Sequence, residues 1–346
     1  PFGIVFDWAT YARITGSYIS HYIIDLWRRV PKADLYIVHG YEHIPITLLR
    51  AFVHRSAVIY DAHDFYGKIH SDLQHEALGA DRWWHRIIMF NQRLAFRHAS
   101  AITTVSSGLV GMFDDMFGRR PVLLRSMHDP DLEGATAVDL RALEGVSDDD
   151  FIVVTIGDNR TGQAFEPALQ ALLLCSENIK LCMIGHGYEQ WEERIRELGL
   201  KDRALIVGPV DTRSMVPTVR TASASIILEF GLTQSYQNAL PNKLFHGVAA
   251  SLPLLYSDLP EVVSVAQKYD LGVMINPHDP ESIATAITAL SKSKEMQDHF
   301  RKTAEAAQKD LTWREEEKVF RRVVDTVVKG TKIGAPDFLY TDTERA

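Results

Sequence analysis

The densest chemistry in the sequence lies in two stretches of its second half. The first is Gly157-Asp158-Asn159-Arg160-Thr161-Gly162-Gln163-Ala164, directly after an apolar run ending at Ile156. Its two glycines have the separation of a phosphate-binding P-loop, but Gln163-Ala164 stand where Lys and Ser or Thr are needed, so an ATPase loop of that kind is excluded. What survives is a strand-to-helix turn with one arginine. It is able to meet a phosphate through backbone N–H groups, a helix dipole and the Arg160 guanidinium; the competing reading is a surface arginine in a tight turn. The second stretch is Leu240-Pro241-Asn242-Lys243-Leu244-Phe245-His246-Gly247, with Lys243 near the start of a helix, either a second phosphate cation or a surface pairing residue. In the first half, Tyr60-Asp61-Ala62-His63-Asp64 sets a histidine at the end of a strand-like run. Asp129-Pro130-Asp131 has a spacing with which two carboxylates hold a divalent ion, but it falls where a linker is expected and is read as one. No G-x-G-x-x-G is present, which disfavours a nicotinamide dehydrogenase. The 14 histidines form no H-E-x-x-H pairing and Cys175 and Cys182 no C-x-x-C, so no metal site is expected and both cysteines read as buried thiols of a reducing compartment.

These residues need a scaffold that brings loops together. Short apolar runs at 152–156, 181–184, 204–207, 224–228, 253–256 and 271–275 alternate with segments of helical period, as buried parallel strands and crossover helices do. Asp258-Leu259-Pro260-Glu261 and Asp279-Pro280-Glu281 mark two helix starts. The first half repeats the theme, with strands expected at 2–6, 35–38, 57–60, 101–105 and 122–124 and helices at 17–30, 44–52 and 82–97. Residues 129–150 read as a linker with a short helix. The expected organisation is therefore α/β, two Rossmann-like domains facing across a cleft: residues 1–130, residues 131–312, and a helix from Trp313 with a polar tail over 313–346 that packs back towards the first domain. Ligands of such tandem units bind in the crevice at the carboxyl ends of the strands.

The composition agrees. The 346 residues are 46% hydrophobic and 24% charged, enough for two cores. The net charge of -8 argues against a nucleic-acid partner. No apolar run reaches membrane-spanning length. Arg82-Trp83-Trp84-His85-Arg86, with Arg93 and Arg97, mixes aromatic and basic residues; peripheral membrane contact is one expectation, and a helix with packed aromatics and solvated arginines the other.

The run from Leu240 to Val262, "LPNKLFHGVAASLPLLYSDLPEV", resembles the retaining glycosyltransferases of family 4, two-Rossmann enzymes of the GT-B architecture. "LCMIGHGYE", "GLKDRALIVGPV", Thr312-Trp313, "YDAHD" and "AITTVSSGL" extend the likeness over residues 34–329, most strongly after 150. The resemblance implies a nucleoside diphosphate sugar on the second domain. Its base would lie near Gly208-Pro209-Val210, and its diphosphate between Gly157, Arg160 and Gly162 and the helix bearing Asn242 and Lys243. It implies His63 facing the transferred sugar or acceptor, retention at the anomeric carbon, no cofactor and no metal. Arg160, Lys243 and a helix N-terminus would stabilise the leaving diphosphate.

Two departures stand out. Where the family carries paired glutamates, this chain has Asn238 and His246; an imidazole cannot offer two carboxylate oxygens to a ribose diol. Glu229 lies too early for the motif and is only a weak substitute. The chain also has little sequence before the strand at 35–38, so either Gly16-Ser17 begins a shortened acceptor loop or a first βα unit is missing, the second being favoured. The expected function is a cytoplasmic transferase, possible peripheral contact with the inner membrane face included, acting on a hydroxyl of a glycan or lipid-linked acceptor. The alternative is a non-catalytic module that binds a sugar nucleotide or glycan, or scaffolds an enzyme.

Overall fold

The computed structural model describes residues 27–65, 81–134, 136–159 and 162–330. The strand expected at 2–6, most of the helix at 17–30, Gly16-Ser17 and the tail 331–346 lie outside the described residues, as does Arg160.

Among the described residues two parallel sheets form. The first has β1 (Leu35–Val38), β2 (Ala57–Ala62), β3 (Ala101–Thr104) and β4 (Val122–Leu123), paired in that order. Helices α1 (Ile44–His54), α2 (Asp81–His98) and α3 (Ser107–Phe117) are its crossovers. Ser106 caps α3 by accepting from the Leu109 N–H, and Gly118, at φ 64°, closes it in the left-handed region that glycine adopts without strain.

The second sheet has β5 (Phe151–Ile156), β6 (Ile179–Ile184), β7 (Ala204–Gly208), β8 (Ala224–Ile227), β9 (Leu254–Ser257) and β10 (Gly272–Ile275), in the order β10-β9-β8-β5-β6-β7. Its helices are α4 (Phe165–Leu174), α5 (Glu192–Glu197), α6 (Thr212–Val219), α7 (Gln234–Gln237), α8 (Asn242–Ala249), α9 (Pro260–Lys268), α10 (Pro280–Lys292) and α11 (Lys294–Ala307). Every residue of β5 and β6 is buried, which is why these strands read as largely apolar runs rather than alternating ones; the exceptions are Thr155 and Lys180, the latter pairing its ammonium with Asp150 and the Asp202 carbonyl. The chain winds outward from β5 to β7, then crosses back to lay β8 on the other side of β5. That reversal opens a crevice at the carboxyl ends of β5 and β8.

The linker holds two 3₁₀ turns, Pro130–Leu132 and Leu140–Ala142, in place of the short helix expected. Asp129 caps the first, and Asp131 pairs with Arg314 at 2.5 Å. The last helix, α12 (Trp313–Val328), crosses back to the first sheet, where Val319, Val323 and Val327 pack on Ile59, Ala101 and Val122. Its fully buried Glu316 accepts hydrogen bonds from the Arg125 backbone N–H and side-chain Nε at 3.0 and 3.1 Å.

The Asp258 capping pattern is corrected. Leu259 occupies the N-cap of α9 with no side-chain cap, and Glu261 reaches away from its own helix to accept from the Ser107 and Gly108 N–H groups of α3, at 3.1 and 2.8 Å. A glutamate so placed satisfies orphan donors at the start of a helix in the other unit and joins the two sheets at their carboxyl edges. Burial nonetheless lifts its carboxyl above the ordinary range, against the pull of those two N–H groups. Among the described residues no helix is long and apolar enough to cross a membrane.

Candidate functional site

The crevice between β5 and β8 is lined by the first residues after each strand. Gly157, after β5, has φ 103° and Gly162 has φ 101°, so both sit where a side chain would strain the backbone. The turn between them is held on two sides. Gly157 N–H donates to Ile184 O and Asn159 N–H to His186 O, at 2.9 and 2.8 Å, while Phe230 N–H donates to Gly162 O at 2.9 Å. Gly185 lets the two loops touch: a Cβ there would run into the Gly157 carbonyl.

Lys243 approaches from the start of α8. Its helix opens at Asn242, itself exposed, and the apolar Leu244, Phe245 and Val248 seat it on the core. Lys243 is buried, and its ammonium comes within about 4 Å of where a Cβ on Gly157 would stand. Its partner is Glu229, two residues beyond the end of β8: Nζ to Oε1 is 2.5 Å. The second carboxylate oxygen, Oε2, is buried without a hydrogen-bond partner among the described residues. Glu229 is thus the residue the sequence reading undervalued; its place directly after a strand at the switch point was the available signal.

His246 lies one turn further along α8, edge-on to His128, which directly precedes the linker, with ring centroids 6.4 Å apart. Its Nδ1 is buried without a partner among the described residues. Burial, then the nearby His128 and Lys243, push its pKa down to about 4, so the ring is neutral at pH 7. Asn238 ends α7 where the units meet. Its backbone oxygen accepts from Ser106 Oγ at 2.5 Å, its Nδ2 donates to Gln234 O, and a Cβ at Gly108 would strike its carboxamide. Gly208 ends β7, the outermost strand, and Pro209 and Val210 follow it, so they sit two strands from Gly157 rather than beside it. The structure therefore gathers Gly157, Gly162, Lys243 and Glu229 at one point, keeps Asn238 and His246 close on the same or the preceding helix, and leaves the Gly208 turn to one side.

Across the crevice, His63 follows β2, and Phe65 N–H two residues on reaches Ser235 Oγ of the second unit at 3.4 Å. His63 Nε2 is 2.8 Å from Asp61 Oδ2. His39, which follows β1 and was not singled out from the sequence, places Nδ1 at 3.0 Å from the same oxygen. Thr103 Oγ1 donates to Asp61 Oδ1 at 2.6 Å. Burial works against the Asp61 carboxylate, but the hydrogen bonds from His39, His63 and Thr103 outweigh it and hold the carboxyl well below its usual range. The bond to Asp61, opposed by burial, raises the pKa of His63.

With this geometry in view, residues 139–307 match the family described as glycosyl transferases group 1. A curated relative, the phosphatidyl-myo-inositol mannosyltransferase of Mycobacterium leprae (strain TN), is 23% identical over 167 residues, spanning 48% of this chain and 43% of its own length. The chain thus matches less than half the length of that relative. Among solved structures, Anabaena HepE in complex with UDP and glucose superposes with a TM-score of 0.70 at 15% identity, over 91% of this chain and 84% of that one. WaaG, a glycosyltransferase involved in lipopolysaccharide biosynthesis, gives 0.62 at 14% identity over 82% of each chain. The fold is the two-sheet GT-B architecture, and residues 139–307 of its second unit match the group 1 glycosyl transferases.

Proposed function

We propose that this protein transfers a sugar from a nucleoside diphosphate to a hydroxyl of a glycan or glycolipid, with retention and without a metal at the leaving group. The observation that carries this reading is Lys243, a buried cation fixed beside the Gly157 turn at the point where the strand order reverses. A diphosphate seated there would meet the ammonium, the N–H groups of the glycine turn and Arg160, a set of fixed positive groups that stabilises charge developing on the departing oxygen. HepE was solved with UDP and with UDP-glucose, which favours a nucleotide-sugar donor of that kind. Retention follows if the leaving phosphate itself takes the acceptor proton, with His63 binding the transferred sugar or the acceptor from the facing unit.

The domain division near residue 130 is part of the same proposal, with the donor on the second sheet and the acceptor on the first. An exposed stripe on α2, Arg86, Phe90, Arg93 and Arg97, supports a lipid-linked acceptor taken at the cytoplasmic face of a membrane: Phe90 is 59% exposed between the arginines, and Phe52 of the adjoining α1 is 82% exposed. A donor-hydrolysis assay over a panel of nucleotide sugars tests the enzyme reading. Turnover of one of them, lost in Lys243→Ala, supports it; nucleotide binding without turnover in the presence of candidate acceptors would leave a binding module instead.

A further inference from the structure

We propose that His39, Asp61 and His63 form a site for a divalent transition metal of the zinc type, on the carboxyl edge of the first sheet and therefore on the unit opposite Lys243. Three potential ligand atoms converge there. His39 Nδ1, Asp61 Oδ2 and His63 Nε2 lie 3.0, 2.8 and 3.2 Å apart pairwise, a nearly equilateral triangle. A zinc ion bound to nitrogen and carboxylate oxygen at about 2.0–2.1 Å in tetrahedral geometry spreads its ligands to about 3.3 Å, so only a few tenths of an ångström of opening separate the triangle from a metal-bearing one.

Without an ion, Asp61 Oδ2 accepts from both rings when each carries its proton on the facing nitrogen, and the two nitrogens stand 3.2 Å apart. A cation can take the place of those two protons, because both imidazoles then donate lone pairs to the same centre as the carboxylate oxygen. Two imidazoles and one carboxylate are the donor set of zinc, cobalt and iron(II) sites, whereas calcium and magnesium prefer all-oxygen sites.

The backbone holds the ligands in place. The β2–β3 register sets Asp61 directly beside Thr103, whose hydroxyl occupies the carboxylate oxygen that does not face the histidines. An outer hydrogen bond of that kind orients a metal-binding carboxylate. The β1–β2 register pairs Val38 with Tyr60, which brings the next residue, His39, level with Asp61. The Asp61 side chain is 12% exposed while those of His39 and His63 are 63% and 46% exposed, so three protein ligands rise from a buried base and leave the outer coordination positions open to water or to an oxygen of a bound group.

The full chain, stripped with a chelator and dialysed, is titrated with Zn²⁺ by calorimetry and with Co²⁺ by visible absorption, with no nucleotide or acceptor present. One equivalent of Zn²⁺ should bind with micromolar or tighter affinity and raise the unfolding temperature, and Co²⁺ should develop intense d–d bands. His39→Ala and His63→Ala replace exposed side chains, so the fold should persist, as thermal unfolding will check; each should weaken Zn²⁺ by at least about tenfold and abolish the Co²⁺ bands. Thr103→Val should weaken binding less. The absence of stoichiometric binding, wild-type affinity in both histidine variants, or loss in only one of them would overturn the three-ligand site. Because the readout is the metal alone, failure here leaves the donor reading untouched, and failure of the donor reading leaves this result standing.

Discussion

At the edge of the second sheet a cation is buried and already neutralised: Lys243 faces Glu229 at 2.5 Å beneath the glycine turn. At the edge of the first sheet it is the anion that is buried, Asp61, with two exposed histidines leaning on it. Both charges sit in the same structural position, just inside the carboxyl end of a parallel strand or the helix beside it. In both, a charge removed from water is paired, as desolvation requires. They differ in what the partner leaves over. Glu229 keeps one oxygen without a partner among the described residues, so an incoming diphosphate competes with it for Lys243. Asp61 has both oxygens engaged, and its histidines present the outward face.

The comparison is most easily broken at the buried pair. Lys243→Ala strands the Glu229 carboxylate and should cost about 3–5 kcal/mol in denaturant unfolding, the range for removing one partner of a buried pair, whereas Lys243→Met combined with Glu229→Leu should cost less than either single change. Equal or additive losses would mean that the two residues do not act as a pair. Glu229→Gln should lower stability and, by removing the competing anion, tighten nucleoside diphosphate binding.

His246 gives the next effect. Its folded pKa of about 4 lies below the ordinary 6.5, so between those values the unfolded chain binds more protons and stability rises with pH. Acidification from pH 6.5 to 4 should therefore remove up to about 3 kcal/mol, at about 1.4 kcal/mol per pH unit, and this slope should be missing in His246→Gln. Below pH 4 the contribution levels off. Urea melts across that range read it directly; identical slopes in the two proteins would show that the ring is accessible to protons after all.

Smaller still is the strap between the units. Glu261→Ala leaves two N–H groups of α3 without their acceptor and should cost about 1–3 kcal/mol of stability, with little change in diphosphate affinity. A large loss of affinity would mean that the donor site depends on the first unit. The smallest expected effect is none: nucleoside diphosphate affinity should be the same with and without EDTA, since protein cations are taken to do the neutralising.

The strands of the second sheet were legible because β5 and β6 are buried on both faces and largely apolar; the expected 35–38 and 152–156 differ from the observed strands by at most one residue, while β6 begins two residues before the expected 181, because Lys180 is buried in it and breaks the apolar run. Lys243 and the Gly157 turn were legible because both lie inside short, dense motifs. His39 was not. It stands alone after β1, and only the parallel register with β2 brings it to Asp61, a contact across 22 positions that no local pattern encodes. Glu229 was discounted by motif spacing, although strand order puts it at the crevice. Glu261 matched a local capping pattern, yet its carboxylate is satisfied 153 residues away by Gly108, a case of tertiary contact overriding a local rule.

Calorimetric titration of the full chain with UDP, GDP, ADP, TDP and CMP tests most directly whether Lys243 and the Gly157 turn hold a nucleoside diphosphate. Saturable one-to-one binding of at least one of the diphosphates is expected. That affinity should fall by about 1.5–3 kcal/mol, roughly 10- to 150-fold, in Lys243→Ala and in Arg160→Ala, each shown to be folded at the titration temperature. His246→Glu should bind as well as the wild type or better. No measurable affinity for any of the five in either the wild type or His246→Glu, or unchanged affinity in both cation variants, would contradict it.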